Sequence, residues 1–285
     1  MALGLCFEIM NLLNYSELLK NLVLRDLRLR YRNTGLGFLW SLVQPLTMFF
    51  VYYAVFGVLL TDKFGMGGTT YPFLLIIGLF TFNFFSGGVT KATPSIVQAG
   101  GLLKQVAFPR IVLPLSSVLA EGVHFLMMLL ILILACFLKW WPSHESFMEL
   151  LPLLYLPLLL VLHLLVTLGV GLLLSTMNVF YRDTEQLANT FMTILFFGTP
   201  VLYAPPNLEK FQSLTFLSEK GAEIVYKIYY LNPMTHIIKS YRDVLLDLNN
   251  PDPKSLLMAF GLGLLFFVWG LFVFKKSQSR FAEEI

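Results

Sequence analysis

Long runs without a charged residue alternate with short charged ones along this chain. Asn33 to Thr61 contains no Asp, Glu, Lys or Arg, and neither does Phe64 to Thr90. Ile111 to Leu138 holds one carboxylate, Glu121. Leu150 to Tyr181 is uncharged apart from the titratable His163, Gln186 to Leu208 is uncharged, and Ser255 to Phe274 closes the series. Each run is long enough to cross about 30 Å of hydrocarbon as a helix, which satisfies its own backbone hydrogen bonds. The pattern predicts an all-α membrane protein of six transmembrane helices, over 35–60, 71–90, 111–138, 150–176, 186–203 and 255–274, forming one domain.

Three further segments are patterned but are not spans. Over 14–32, Arg25, Arg28 and Arg32 fall on one helical stripe, with Leu18, Leu22 and Leu29 beside them. That spacing suits an amphipathic helix lying in the membrane interface, its basic residues at the phosphate level; the plainer reading is a charged flank that only sets topology. Lys91 to Arg110 is broken by Pro94 and Gly100-Gly101, yet carries Ile96, Val97, Leu102, Leu103 and Val106. It reads either as a short helix (96–106) that seats in another protein or as a loop folded on its own bundle. From 206 to 248, Asn232-Pro233 separates two short helices. In the second, Met234, Ile237, Ile238, Tyr241, Leu245 and Leu248 repeat at helical spacing opposite Lys239, Arg242, Asp243 and Asp247, which suits helices dipping into the outer leaflet.

Composition agrees with the pattern. Of 285 residues, 57% are hydrophobic, 15% aromatic and only 13% charged, against about 25% charged in soluble domains. This excludes a disordered chain, a nucleic-acid module and an ordinary cytosolic enzyme. The net charge of +3 is too mild to imply nucleic acid. Its placement matters more. Lys20, Arg25, Arg28, Arg30, Arg32, Lys91, Lys104, Arg110, Arg182, Lys275, Lys276 and Arg280 fall on one side of the six spans, whereas the opposite short loops hold Lys63 and Lys139. The remaining basic residues, between Leu208 and Ser255, are matched by acidic ones. Because Lys and Arg are retained on the cytoplasmic side, both termini are expected in the cytoplasm. Met1 to Leu13 lacks a basic n-region and a small-residue cleavage site, so no cleaved secretory signal is expected.

Catalytic chemistry is hard to find. Gly-Lys never occurs, so no Walker A loop is present, and there is no HExxH or GxSxG. Cys6 and Cys136 are too few for a disulfide scaffold or a cysteine zinc site. The spans themselves hold a few ionisable groups. Glu121 and His124 stand three residues apart on one face of the third span, and an intramembrane carboxylate is a functional candidate by default. The pair reads as a structural tie, a substrate or gating group, or a proton relay. His163, alone among leucines, suits a packed interior histidine. Phe49, Tyr52, Tyr53 and Phe56 form an i, i+3, i+4, i+7 face. It serves either as an interfacial belt or, with Phe196 and Tyr203, as a stacking surface for sugar rings. Gly87 with Gly88, and Gly171 with Ser175, permit close helix approach within the chain or between copies.

The segments also carry a resemblance. Arg30-Tyr31-Arg32, Leu36-Gly37, Leu39-Trp40 and Gln44-Pro45 are followed by Lys104, by Phe108-Pro109-Arg110 with Leu113-Pro114, and by Asn178-Val179-Phe180-Tyr181-Arg182-Asp183. Thr199-Pro200-Val201 with Tyr203, and Asn232-Pro233 with Arg242, complete the series. Each motif is weak alone; in this order, over nearly the whole chain, they resemble the permease subunits of type-2 ABC transporters that export O-antigen, capsule and teichoic-acid polysaccharides. The resemblance implies a homodimer in the bacterial cytoplasmic membrane, working with two copies of a separate ATPase that holds the ATP and magnesium, and no cofactor on this chain. Ile96, Val97, Gln98, Leu102, Leu103 and Lys104 would form the coupling helix, with Arg182 and Asp183 as a second contact. Asn14 to Arg32 would be the interface helix and the two outer helices would be gate helices. The substrate would be a polysaccharide on undecaprenyl pyrophosphate, met by Arg25, Arg28, Arg30 and Arg32, because guanidinium groups bind phosphates bidentately. Rival functions are a type-2 ABC exporter of a drug or lipid, an integral membrane glycosyl- or acyltransferase, and a structural scaffold.

Overall fold

The computed structural model describes residues 15–30, 35, 39–55, 70–105, 108–140, 147–206 and 219–284. Among them every regular element is helical: α1 (Ser16–Arg30), α2 (Trp40–Tyr52), α3 (Thr70–Ala92), α4 (Ser95–Gln98), α5 (Gly100–Gln105), α6 (Val112–Trp140), a 3-10 stretch (Phe147–Tyr155), α7 (Leu156–Phe180), α8 (Thr184–Phe197), α9 (Glu219–Tyr230), α10 (Pro233–Leu245), α11 (Pro253–Ser277) and α12 (Phe281–Glu284). Four stretches are long and apolar enough to cross a membrane: Tyr71–Ala92, Val112–Leu138, Leu150–Phe180 and Pro253–Arg280. The expected first span lies partly outside the described residues, with α2 inside it, and the expected fifth corresponds to a shorter helix, α8. The 14 residues of α8 rise about 21 Å, short of the roughly 30 Å of a bilayer core.

Local sequence explains the ends. Asn232 caps α10, its side chain accepting from the Met234 N–H at 3.0 Å, and Pro233 opens the helix where a missing N–H costs nothing. Asp252 and Pro253 start α11 in the same way, and Lys275 and Lys276 sit in its last turn, where a cation suits the helix dipole. The Pro94 and Gly100-Gly101 breaks divide the 91–110 segment into α4 and α5 instead of one helix over 96–106.

The centre of the bundle is α7, packed lengthwise against α11 and in contact with α3, α6 and α10. The approach of α7 and α11 depends on missing side chains. A Cβ on Gly169 would lie 2.5 Å from the Phe267 backbone nitrogen, and one on Gly270 would run into the Gly169 carbonyl oxygen. On the other flank, a Cβ on Gly88 would reach 2.5 Å from Cγ2 of Thr167, and one on Gly171 3.1 Å from Cβ of Ala92. Without a hydrophobic drive between helices in lipid, such close backbone packing is what holds spans together.

One element departs from the amphipathic pattern. α10 does not lie at the surface with a wet face. Met234, Ile237, Ile238, Tyr241, Val244 and Leu245 are buried in the main core with α3, α6 and α7. Arg242, expected on the polar face, is only 5% exposed. The apolar stripe wins the helix for the interior, and the guanidinium follows because acceptors wait there.

Replacing Gly270 by Ala is expected to destabilise the chain by about 1–3 kcal/mol, the usual cost of overpacking. Gly261→Ala meets open space inside the same helix and is expected to keep or raise stability, by up to about 1 kcal/mol. Thermal unfolding of the two variants in one detergent compares them.

Candidate functional site

Two charged side chains lie buried at opposite ends of the bundle. At the end carrying α1, α4 and α5, Glu121 projects from α6 and is 6% exposed. A carboxylate removed from water costs several kcal/mol unless it is paired. Here it is paired twice: Oε1 accepts from Nη1 of Arg30 in α1 at 2.8 Å and from Nζ of Lys91 at the end of α3. Three elements distant in sequence are thereby pinned at one point. His124, one turn further along α6, lines a deeper cavity beside the same carboxylate.

The sequence pattern placed Glu121 beside His124, as a tie to it, to backbone or to a neighbouring helix; the structure adds ion pairs to Arg30 and Lys91. The cation Lys91 was not among the expected site residues. The signal was present in principle, since a deep carboxylate needs a cation, but spacing along one helix cannot say which distant one folds onto it.

The four expected arginines do not act as one row. Arg25 is exposed and pairs with its neighbour Asp26 at 2.9 Å. Arg28 is exposed beside a surface groove with Asn21 and Leu24. Arg30 turns inward to Glu121, and Arg32 lies outside the described residues. Leu18, Leu19 and Leu22 hold α1 to the bundle against Val112, Leu113 and Phe108. Beneath α1 a cavity of about 670 Å³ opens, lined among others by Arg25, Arg30, Lys91, Gln98, Glu121 and Glu185.

The expected coupling residues divide by burial. Ile96 is fully buried, packed with Leu172, Val179, Leu271, Phe274 and Phe281. It therefore anchors α4 from within and cannot itself touch a partner. Gln98 is exposed, as are Arg182 and Asp183, while Val97, Leu102 and Leu103 are half-buried; the Lys104 side chain lies outside the described residues. The α12 tail closes this end. Phe281 is fully buried, with its ring 5.3 Å from that of Phe274, and the Arg280 guanidinium lies 5.2 Å from the Phe180 ring. A lone Phe in a charged tail was the only hint of this lid.

At the opposite end Arg242 sits among carbonyl oxygens. Its Nε and Nη2 donate to Leu74 O at 3.2 and 3.0 Å, Nη2 to Val201 O at 2.8 Å, and Nη1 to Tyr203 O at 2.9 Å. Gly78 makes the room: a Cβ there would lie 2.7 Å from Nη2. Nearby, Asn232 Nδ2 donates to Thr199 Oγ1 at 2.7 Å. The separate motifs Thr199-Pro200-Val201, Tyr203, Asn232-Pro233 and Arg242 are thus one polar junction between α3, the end of α8 and α10. Lys239 adds a tie from α10 to the start of α11, donating to Asp252 at 3.1 Å. That hydrogen bond, with the donation from Lys254 N–H, holds the Asp252 carboxyl below the usual carboxylate range.

The aromatic residues expected to line a channel are partly packed on their own bundle. Phe49 stacks on Tyr53 with ring centres 6.2 Å apart, and both meet Phe73. Phe196 lies against Phe82 at 5.4 Å, and the Tyr203 hydroxyl donates to Phe197 O at 3.0 Å. The Tyr52 side chain and Phe56 lie outside the described residues. Among the described residues no His, Cys, Asp and Glu group could hold a metal ion.

Arg242→Lys leaves one compact ammonium where a planar fork served three carbonyls. Each carbonyl left unpaired costs about 1–3 kcal/mol. The variant is expected to unfold at lower temperature and to be cut faster by protease near Tyr203, as read by thermal melting and peptide mapping.

Comparison with known proteins agrees with this architecture. Residues 17–246 match the family model of the ABC-2 type transporter. The chain is 30% identical over 268 residues to an O-antigen export system permease protein RfbA of Klebsiella pneumoniae, covering 94% of each. It is 29% identical to the protein of that name from Myxococcus xanthus, covering 96% of this chain and 97% of that one. To the polysialic acid transport protein KpsM of Escherichia coli it is 22% identical, over 79% of this chain and 80% of the other. With its long apolar helices and this end-to-end match, the chain belongs to the ABC-2 type transporter membrane family.

Proposed function

We propose that the chain is the membrane-spanning subunit of an ATP-driven exporter of lipid-linked polysaccharide. The observation that carries the reading is the match over 94% of the chain to a permease named for O-antigen export. The cavity under α1 supports it: Arg25, Arg30 and Lys91 line it, together with Asp26, Glu121 and Glu185, and an anionic lipid head group needs cations at the membrane surface. Six spans would be completed by α2 as the first and by α8 with the turn that follows it as the fifth. The amphipathic α1 lies in the cytoplasmic leaflet, and both termini are cytoplasmic by the distribution of Lys and Arg.

The chain works as a homodimer with two ATPase subunits. Leu187, Phe191 and Ile194 form an exposed apolar stripe along α8, suited to a second copy or to lipid. The ATPase seats against Gln98, Arg182 and Asp183 with the outward part of α5, while buried Ile96 carries the movement into α7 and α11. Arg25, Arg28 and Arg32 attract the pyrophosphate to the inner surface, and the glycan follows along Phe49, Tyr52, Tyr53, Phe56, Phe196 and Tyr203. The helices α9 and α10 gate the outer end, with Arg242 holding the second of them. Chemistry on ATP resides in the partner, so this chain supplies path and binding but no catalytic group.

Affinity purification from the native host is expected to bring down an ATP-binding subunit, and loss of the chain to abolish surface polysaccharide. An ATPase partner with unchanged polysaccharide would point to a drug or lipid exporter. Replacing Arg28 and Arg32 together by Ala is expected to lower export roughly a hundredfold, about tenfold for each of two charge-assisted phosphate contacts, while leaving complex assembly intact. Surface glycan staining alongside co-purification measures both.

A further inference from the structure

Two cavities at the α1 end meet at a single ion-pair cluster. The larger, about 670 Å³, lies under α1. The smaller, about 290 Å³, lies deeper between α3 and α6 and is lined by Asn83, Ser86, His124 and Phe125 among others. Arg30, Thr90, Lys91 and Glu121 line both. Glu121 Oε1 alone receives both cations, so one negative charge faces two positive ones. Glu121 is the sole acidic residue lining the deeper cavity among the described residues. Gly87 keeps the space beside the other oxygen open, since a Cβ there would lie 3.0 Å from Oε2.

The geometry is that of an anion site already holding a weak anion. Arg30 engages Glu121 through Nη1 only, leaving the rest of its planar fork turned to the cavities. Lys91 is 49% exposed in its side chain and keeps further donors. A group with two negative charges would balance both cations, which one carboxylate cannot do, and would meet the guanidinium bidentately. We propose that Arg30 and Lys91 form a binding site for a phosphate-type dianion, and that Glu121 is the built-in anion occupying it until a ligand arrives. The exchange transfers Arg30 from α6 to the ligand and turns the Glu121 carboxylate to water in the larger cavity, which it also lines, so that it is not left dry and unpaired beside a dianion, while Leu18, Leu19 and Leu22 still hold the other half of α1. Binding at this site thereby acts on the α1–α6 tie. The proposal rests on the exporter reading only for the source of the anion, the pyrophosphate of a lipid carrier.

The test titrates the purified full chain in nanodiscs with two probes, inorganic pyrophosphate in solution and undecaprenyl pyrophosphate in the bilayer. Lys91→Met should weaken binding about tenfold, one lost charge-assisted contact, and Glu121→Gln should strengthen it about tenfold by removing the competitor. Tighter binding of the prenyl probe assigns the source to a lipid head group; equal binding assigns it to a free anion. No binding of either probe, or binding unchanged in Lys91→Met, overturns the site. Should Glu121→Gln fail to fold, carbodiimide labelling of the wild-type chain decides on the displaced carboxylate. Labelling of Glu121, read by peptide mass spectrometry, should rise with pyrophosphate; protection or no change rejects the exchange. A chain that behaves this way in vitro but exports no glycan overturns the exporter reading and leaves the site standing. Export that continues while Glu121→Gln binds no tighter overturns the exchange alone.

Discussion

A charge taken out of water must find its partners within the chain, and that constraint organises both ends of this molecule. Arg242 meets it with three backbone carbonyls drawn from the start of α3 and the turn after α8. Two of those carbonyls, of Val201 and Tyr203, belong to the irregular turn after α8 and would otherwise lie unsatisfied in apolar surroundings, while Leu74 O, inside α3, accepts the guanidinium besides its own helical bond. The guanidinium and the loose backbone therefore solve each other's problem, and α10 is locked inside the bundle as a result. At the other end Glu121 meets the same constraint with Arg30 and Lys91, and α1 is drawn onto the bundle.

The two solutions differ in permanence. Carbonyl oxygens around Arg242 are fixed by the chain, so that junction is a structural rivet. A carboxylate held by two cations beside open cavities is exchangeable, because another anion can offer the cations the same or better terms. This contrast puts the rigid element at α10 and the responsive one at α1. Between them, α7 and α11 touch backbone to backbone at Gly169 and Gly270. With no side chains between the two backbones there, the pair is packed as one unit. The buried Ile96 and Phe281 join the α4 segment to that unit through Leu172 and Phe274.

Much of this was legible residue by residue. The charge-free runs locate the four long apolar helices, since hydropathy over about 20 residues is a local property. The stripe of α1 and the caps at Asn232 and Asp252 are equally local. Glu121 stood out because a carboxylate in an apolar run is costly wherever it ends up. What spacing could not supply was its distant partners: Arg30 is 91 residues away and Lys91 30. The same holds for Arg242, whose helical face looked polar because a helical wheel does not show the carbonyls that receive it. Ile96 looked like a docking residue for an equivalent reason, as an apolar side chain in a charged connection does not announce which surface covers it.

The sequence by itself therefore determined the solvent of this protein, the long helices, their caps and the groups too costly to leave unpaired. The tertiary structure alone decided which groups pair, which apolar side chains face inward, and where cavities meet charge. The division is physical. Helix formation and membrane partition depend on neighbours within a few turns, whereas ion pairing and close packing depend on elements brought together only when the chain has closed on itself.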